Sequence, residues 1–441
     1  MTASRGRAIF TLCLVSQGCL CWVLGVAARS GCSPSAFVAG LALCFVPYAG
    51  VLAFSRSLRS QRDADLIAIV TALLFGAAFL FSPPLLSDDL YRYLWEGRLW
   101  LEGHNPYRLS PSDPVLGYLR DDIWAEINNK SLASIYPPLS QLLFVIAQWL
   151  GGGILTVKLL ALLGHVLCVA VTVRIFTVRH ASLALALNPL LLSESALNGH
   201  FDTLCGVMLL FSAWALASDR SFQAGLAACA AVGLKIIGLV LLPILARRPK
   251  AWVSTAFVSA LLLVPLVSPR LLADPASGLG QFAIRWRGNE SAFAVVDQLS
   301  RQLFTPAAAN EATPDLAVRS IVVIIFLGLC AWVAYRRLPP MQGARALVWA
   351  LLILSPQVHP WYLGWLLPLE IAAGGVSGLI WSAAVLGAYV PLEQWLAEGV
   401  WEMPPWLQTF EYLAVALALI LDPRRPSFRQ QPIDRQLSEQ F

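Results

Sequence analysis

The sequence predicts an all-α polytopic membrane protein, a bundle of about 11 to 14 transmembrane helices. Of its 441 residues, 58% are hydrophobic and only 13% are charged, whereas roughly a quarter of the residues in a soluble domain are charged. Apolar runs of about 20 residues, the length that spans a bilayer, recur along the chain. The net charge of +5 is small, and basic residues fall between the apolar runs. We therefore expect a lipid bilayer, and no nucleic acid, as a partner.

Each predicted helix is an apolar run between polar or basic residues. The runs lie near 9–28, 34–55, 65–83, 155–177, 182–197, 203–218, 221–232, 235–246, 251–268, 319–335, 345–358, 361–372, 376–391 and 407–422. The first run follows two arginines and is interpreted as an uncleaved helix. The segment 139–150 is too short to span a bilayer and is expected to be re-entrant or interfacial. One transmembrane domain, 1–422, is predicted, followed by a cytoplasmic tail, 423–441.

The basic residues predict the orientation of the chain. Lysine and arginine in short loops mark the cytoplasmic side of a membrane protein. This rule places two long loops, about 84–138 and 270–318, on the other side of the membrane, together with all the polar clusters that could carry chemistry. We expect a multi-pass protein of the inner (plasma) membrane with its active site on the extracytoplasmic face. A transporter would be expected to place polar groups near the membrane midplane instead.

The first external loop carries the densest block of charged and aromatic residues, SDDLYRYLWEGRLWLEGHNPY at 87–107. Asp88 and Asp89 begin a predicted helix, where acidic residues favour the helix dipole. Arg92 lies three residues after Asp89 and Glu96 four residues after Arg92, and they are explained as surface ion pairs on one face of that helix. One acid would suffice for the dipole, so the doubled acid predicts a catalytic or substrate role for at least one of them.

Other polar clusters are candidates for binding the substrates or a phosphate. Polar residues are costly beside a bilayer and tend to be functional there. A lone lysine between apolar runs fits either snorkelling to the interface or contact with a lipid phosphate. Two arginines that flank a tryptophan in the second loop fit a phosphate or an interfacial anchor, and a proline-rich break near residue 359 predicts a broken helix that lines a cavity. The candidate binding residues are Tyr91, Arg92, Asn105, Tyr107, Tyr136, Asn198, His200, Asp202, Lys235, Arg285, Arg287, His359, Trp361 and Tyr362.

The nine cysteines indicate neither a disulfide framework nor a metal site. Eight lie in apolar runs, where cysteine behaves as a small hydrophobic residue, and only Cys32 is loop-like. His200 and Asp202 are two residues apart, so a metal would need ligands from elsewhere. No metal site and no cofactor are predicted, and a requirement for a divalent metal stays open.

The order of the motifs carries more information than any one of them. The succession D-D-x-Y-R-Y-x-W-E-G, G-H-N-P-Y, Y-P-P, N-G-H-F-D, a lone lysine, R-W-R-x-N and V-H-P-W-Y resembles the GT-C glycosyltransferases, in particular bacterial and archaeal mannosyltransferases that use polyprenyl-phosphate-mannose. It is more remotely similar to GPI mannosyltransferase I. The resemblance spans about 65–370. It implies a polyprenyl-phosphate-sugar donor, inversion at the anomeric carbon, and Asp89 or Asp88 as general base, with Asp89 favoured.

The expected activity is therefore the transfer of a hexose to an acceptor hydroxyl, and mannose is the favoured hexose. The acceptor is left open among a glycan, a lipid, a protein and a small molecule. Two other functions are weighed against this one. A flippase for lipid-linked sugars would share the hydrophobicity but would not need paired acids at the start of an external loop. A ligase or polymerase that uses diphosphate-linked glycans is the nearer enzymatic alternative.

Overall fold

The fold is entirely helical in the part of the chain that the computed structural model describes, residues 3–176, 181–246, 248–253, 278–304 and 312–422. Within those ranges no strand forms, and the only extended pairing is an isolated bridge between Gly288 and Gln357. The all-α class is confirmed. The predicted tail, 423–441, and most of the predicted helix near 251–268 lie outside the described residues.

The helices have the following bounds. In chain order they are α1 (Ala3–Arg29), α2 (Pro34–Phe54), α3 (Gln61–Leu80), α4 (Asp89–Leu101), α5 (Asp122–Ala125), α6 (Pro138–Trp149), α7 (Ile154–Ile175), α8 (Ala181–Ala186), α9 (Pro189–Ala196), α10 (Asp202–Ala217), α11 (Ser221–Leu234), α12 (Leu242–Leu245), α13 (Gly278–Arg285), α14 (Ala292–Phe304), α15 (Ala312–Arg336), α16 (Pro340–Leu354), α17 (Leu363–Ala372), α18 (Ser377–Ala384), α19 (Pro391–Glu398) and α20 (Pro405–Leu421). Short 3-10 helices cover Ser55–Ser57, Pro114–Leu119, Ile236–Leu241, Pro360–Tyr362 and Val385–Tyr389.

Five of these helices, α1, α2, α3, α7 and α15, are long and apolar enough to cross a membrane. Six shorter apolar stretches of 10–17 residues accompany them in the described ranges. Their lipid-facing sides carry exposed leucine, valine and isoleucine, as expected of a chain whose solvent is a bilayer. The prediction of a polytopic membrane protein is confirmed, while the count of 11 to 14 crossings stays a prediction.

The helix predicted near 182–197 is two helices, α8 and α9. Pro189 has no N–H to continue α8, and the side chain of Asn188 caps α9 instead. Such a break leaves carbonyl groups without helical partners inside an apolar core. Tyr48 and Gln17 donate to two of these carbonyls, at 2.7 and 2.6 Å. The continuous apolar run concealed the break, since only the single proline marked it.

Helix α4, in the predicted first external loop, packs closely against α6, which follows that loop. A Cβ atom on Gly97 of α4 would lie 2.3 Å from the carbonyl oxygen of Phe144 in α6, so only glycine fits this contact. The twelve residues of α6 extend about 18 Å, short of the roughly 30 Å of a hydrocarbon core. This length supports the prediction that the segment does not cross.

The interpretation of Arg92 and Glu96 as a surface ion pair is wrong. Both side chains are buried, and Arg92 Nε lies 2.7 Å from Glu96 Oε1. The Glu96 carboxylate also accepts hydrogen bonds from Ser134 and Gln141, while Arg92 donates to the carbonyl groups of residues 129 and 132. The pair therefore fastens the second half of the first external loop to α4.

Candidate active site

Asp89 belongs to a cluster of polar and aromatic side chains from segments far apart in the sequence, which we call the chamber: Asp89, His200, Lys235, His359 and Trp361. Asp89 is the first residue of α4, and its backbone N–H donates to the hydroxyl oxygen of Ser87 at 3.3 Å. Its carboxylate Oδ2 lies 3.8 Å from Nε2 of His200. The side chain of Asp89 keeps 21% of its surface exposed, so a substrate can reach it, whereas the side chain of His200 has none.

His200 comes from the turn between α9 and α10. The preceding Gly199 has φ +76°, and a Cβ atom there would meet Leu90 at 2.8 Å, so the turn requires glycine. The imidazole Nδ1 lies 2.8 Å from Oε2 of Glu194. The other oxygen of Glu194 accepts a hydrogen bond from the Tyr389 hydroxyl at 2.5 Å. The His200 ring is thereby fixed between two carboxylates.

Trp361 joins the two histidines of the chamber. Its ring stacks with that of His200 and with that of His359, with 4.2 Å between centroids in both pairs. Nε2 of His359 lies 2.6 Å from the side-chain amide nitrogen of Gln357. Tyr362 meets His359 edge-on at 5.2 Å. The predicted break of the helix matches the described geometry, in which α16 ends at Leu354 and α17 begins at Leu363. That the break lines a cavity stays a prediction.

Lys235 supplies a cation at the edge of the chamber. It follows α11, with its Nζ 3.4 Å from Oδ2 of Asp202 and 5.4 Å from the centroid of the Tyr136 ring. Its side chain keeps 16% of its surface exposed, whereas Asp202 is buried. The lysine is therefore held in place by a buried carboxylate while its ammonium group remains accessible.

The two neighbouring aspartates have opposite electrostatic surroundings. Burial and the charge of Asp89 raise the pKa of Asp88 to about 6, although Asp88 accepts a hydrogen bond from Asn128. Burial by itself would raise the pKa of Asp89 too, but the adjacent His200, with Lys235 and His359, holds it below its usual range. Asp89 is thus the acid of the pair that stays ionised well below neutral pH, whereas Asp88 takes up a proton near pH 6.

His200 shows the reciprocal effect. Burial disfavours its charged form, but Asp89 and Glu194 outweigh burial and raise its pKa to about 9. The imidazole is accordingly protonated at neutral pH. The chamber therefore holds a charged pair, Asp89 and His200, before any substrate is present.

Several predicted binding residues use their polar groups to shape the loop. The Asn105 side chain accepts from the backbone of Tyr107 at 2.8 Å, and the Tyr107 hydroxyl donates to the Tyr136 carbonyl at 2.7 Å. Asn198 accepts from the backbone N–H of residue 86 and donates to Glu194. Tyr91 packs with the aromatic cluster around Trp95, and Arg92 is engaged as described above.

The second external loop reaches the chamber through its backbone. Gly288 donates to the carbonyl group of residue 356 and accepts from the N–H of Val358, both at 3.0 Å. Arg287 binds Glu290 and Asp297 at 2.6 and 2.7 Å, while the side chain of Arg285 lies outside the described residues. A cleft of about 390 Å³ separates the two external loops and is lined by Asn129, Ser131, Leu132, Trp286 and Arg287.

Some residues of the site were not among the sequence candidates. Glu194 stood out as an acid in an apolar run but was not selected, and Tyr389 had no local signal at all. Gln357 and Asn128 contact His359 and Asp88 and were also missed. Among the described residues, no group of three histidine, cysteine or acidic side chains could hold a metal ion.

Comparison with known proteins agrees with this arrangement. Residues 13–249, more than half of the chain, match the family model described as Alpha-(1->6)-mannopyranosyltransferase, N-terminal domain. The chain belongs to this mannosyltransferase family. It is 25% identical to Alpha-(1->6)-mannopyranosyltransferase A of Mycobacterium tuberculosis, in an alignment that covers 83% of this chain and 76% of the relative. No solved structure matches the chain.

The family match confirms the resemblance that the motifs indicated: the protein is a GT-C-like glycosyltransferase of the membrane. The matched region of this mannosyltransferase contains Asp89, His200 and Lys235. His359 and Trp361 lie beyond it, so the chamber combines a part within the family model with a part outside it.

Proposed function

We propose that this mannosyltransferase moves a hexose, with mannose as the first candidate, from a polyprenyl-phosphate donor to the hydroxyl group of a glycan, lipid or small-molecule acceptor. The reaction takes place at the extracytoplasmic face of the inner membrane and inverts the anomeric carbon. The observation that carries the proposal is an accessible, ionised carboxylate, Asp89, in contact with His200 and beside a cluster of cationic and aromatic side chains.

Asp89 is the general base. It takes the proton from the acceptor hydroxyl as that oxygen bonds to the anomeric carbon, and the bond between this carbon and the phosphate oxygen breaks. The electron pair of that bond leaves with the polyprenyl phosphate. Because phosphate is already a good leaving group, a nearby cation can stabilise it without protonating it. Lys235 is the described cation with the geometry for this role.

A single displacement is favoured over a covalent intermediate by the surroundings of the other carboxylates. Asp88 is bound to Asn128, Asp202 is paired with Lys235, and Glu194 is buried behind His200. Asp202 and Glu194 are also buried, whereas Asp89 is partly exposed. This arrangement supports inversion, which the resemblance to GT-C enzymes also implies.

The proposed orientation is supported by the distribution of charge. The segments around Ser87, His200, Lys235 and His359 converge at one end of the helices. The other ends of several of these helices carry arginine in short connections, as at Arg220 and Arg337. Since such arginine marks the cytoplasmic side, the chamber belongs to the extracytoplasmic side. Arg285 and Arg287 remain proposed donor contacts, with less support for Arg287 because acidic side chains already engage it.

The test is an assay of the purified protein in detergent with labelled mannose on a polyprenyl monophosphate or a polyprenyl diphosphate. We expect glycosidic product from the monophosphate, which a flippase would not form, and little from the diphosphate, which a ligase or polymerase would prefer. Asp89→Asn should lower kcat by roughly 10²-fold or more, as loss of a general base does, and Asp88→Asn by less. A thermal unfolding curve checks that each variant folds. Near wild-type turnover by Asp89→Asn would contradict the mechanism.

A further inference from the structure

Behind Asp89, a row of side chains from four separate segments extends into the protein. Asp89 faces His200, with 3.8 Å between Oδ2 and Nε2. His200 in turn contacts Glu194 at 2.8 Å, and Glu194 accepts from Tyr389 at 2.5 Å. The side chains of His200 and Glu194 are 0% and 3% exposed. Glu194 and Tyr389 are both buried and do not meet a substrate, so any role of theirs acts through His200.

The chemistry of imidazole decides what this row does. A neutral imidazole has one N–H donor and one acceptor nitrogen, whereas an imidazolium donates from both nitrogens. Nδ1 of His200 faces the Glu194 carboxylate, and Nε2 faces both the Asp89 carboxylate at 3.8 Å and the Ser87 hydroxyl at 3.3 Å. The charged form interacts favourably with both carboxylates, whereas a neutral ring pairs with Glu194 and the Ser87 hydroxyl and leaves Asp89 without an N–H directed toward it. Glu194 is itself fully engaged, since Asn198 also donates to it at 3.1 Å. A buried charge that is paired and hydrogen-bonded in this way is tolerated.

We propose that Glu194 and Tyr389 are positioning residues that hold His200 as an imidazolium against Asp89, and so keep Asp89 a carboxylate until the acceptor hydroxyl arrives. The inference rests on the proposed function, in which Asp89 is the base. In each cycle Asp89 takes the acceptor proton and releases it to water once product has left. His200 keeps its own proton throughout. Its positive charge keeps the Asp89 carboxylate ionised and fixes the orientation of that side chain.

The other charged groups near His200 do not replace Glu194. Asp202 adds a more distant negative charge, and its carboxylate is already paired with Lys235. Positive charge on Lys235 or His359 acts against protonation of His200. The titratable groups that face His200 are Asp89, Glu194, Asp202, Lys235, His359 and Tyr93. Among them, Glu194 is the acid in direct contact with His200 that does not itself react.

The test is the pH dependence of kcat/KM for the full-length protein and for Glu194→Gln and Tyr389→Phe. A phosphodiester donor and a sugar hydroxyl do not titrate near neutral pH, so the limbs of the profile report groups of the protein. Loss of the His200 proton sets the alkaline limb. Glu194→Gln removes the carboxylate that stabilises this proton, and the limb should move to lower pH by about one unit or more. Tyr389→Phe should move it in the same direction by less.

Glu370→Gln is the matched control. Glu370 is another buried carboxylate, held by Arg345 and Trp349, and lies about 10 Å along α17 from Leu363. The Glu370→Gln variant should leave the alkaline limb of the pH profile in place, whether or not its thermal stability changes. An unmoved limb in both Glu194→Gln and Tyr389→Phe would overturn the inference, and Tyr389→Phe serves by itself if Glu194→Gln does not fold. The role of Asp89 as the general base is tested separately, since only an active Asp89→Asn variant would contradict it.

Discussion

At the scale of single residues, Lys235 combines two properties that a contact for the donor phosphate requires. Its ammonium group is held by Asp202 yet keeps part of its surface exposed, and its charge reaches Asp89. Lys235→Gln should therefore raise the donor KM roughly ten- to a hundred-fold, the cost of about 1.5–3 kcal/mol for a lost charged hydrogen bond. The acceptor KM should change little. Steady-state kinetics with each substrate varied in turn measures both.

Lys130→Gln is the control for that measurement. Lys130 lies in the predicted first external loop, above the ring of Trp124 and with its ammonium group donating to the carbonyl group of residue 125, and Lys130→Gln should leave the donor KM unchanged. Because Lys235→Gln also removes the partner of a buried acid, its thermal stability must be recorded alongside. A donor KM unaffected by Lys235→Gln would return the lysine to a role in membrane anchoring.

The residues of the chamber differ in how far the sequence predicted them. His200 and Lys235 are polar exceptions in apolar surroundings, and the cost of such exceptions near a bilayer predicts a function for them. Asp89 is predicted on a different ground, the doubled acid at the start of a helix. Tyr389 is an unremarkable aromatic residue in an apolar run, and its contact with Glu194 joins positions 195 residues apart. No local pattern contains such a pairing. Tyr107 was selected for its setting but serves to fix the loop.

At the scale of elements, the contact between α4 and α6 orients the helix that bears Asp89. Gly97→Ala would bring a Cβ atom to 2.3 Å from a backbone oxygen of α6, so one helix must shift. We expect a loss of stability of about 1–3 kcal/mol, as for other overpacked sites. A lower kcat should accompany it, because the base moves with its helix. Melting temperature and turnover of the purified variant measure the two effects.

Gly328→Ala provides the comparison for Gly97→Ala. Gly328 is also helical, in α15, but a Cβ atom there would meet nothing within 4 Å. Alanine favours a helix over glycine by about 1 kcal/mol, so this variant should be as stable as the wild type or more so, with unchanged turnover. Equal stability of the two variants would mean that α4 and α6 are not in tight contact.

The boundaries of the elements were predictable where composition changes and not elsewhere. The limits of α1, α2, α3 and α7 follow from polar residues that end long apolar runs. The separation of α8 from α9 depends on Pro189 inside an uninterrupted apolar run. The burial of the polar face of α4 depends on side chains some 38–45 residues away. The hydrophobicity of a segment indicates whether it is buried or in the membrane, but not which other segments it contacts.

At the scale of the whole molecule, the orientation in the membrane can be measured with single cysteine reporters. Ser112→Cys in the first loop and Gln298→Cys in the second are at exposed positions, and both should react with an impermeant thiol reagent from the extracytoplasmic side. Arg337→Cys, exposed at the end of α15, should not. Labelling of Gln298→Cys from the cytoplasmic side alone would mean that α6 crosses the membrane. The native cysteines, which lie in helices or half-buried, provide the unreactive background.

The buried pair of Arg92 and Glu96 has a consequence for the timing of catalysis. Together with Ser134 and Gln141, it holds the first external loop rigidly against α4, so this loop does not open and close over the site. The entropy of ordering the base is therefore lost once, during folding, and not again in each turnover. Donor and acceptor meet a carboxylate that already has its final direction. We expect the rate to follow the chemical step, or the passage of the lipid into and out of the chamber, and not the closing of this loop.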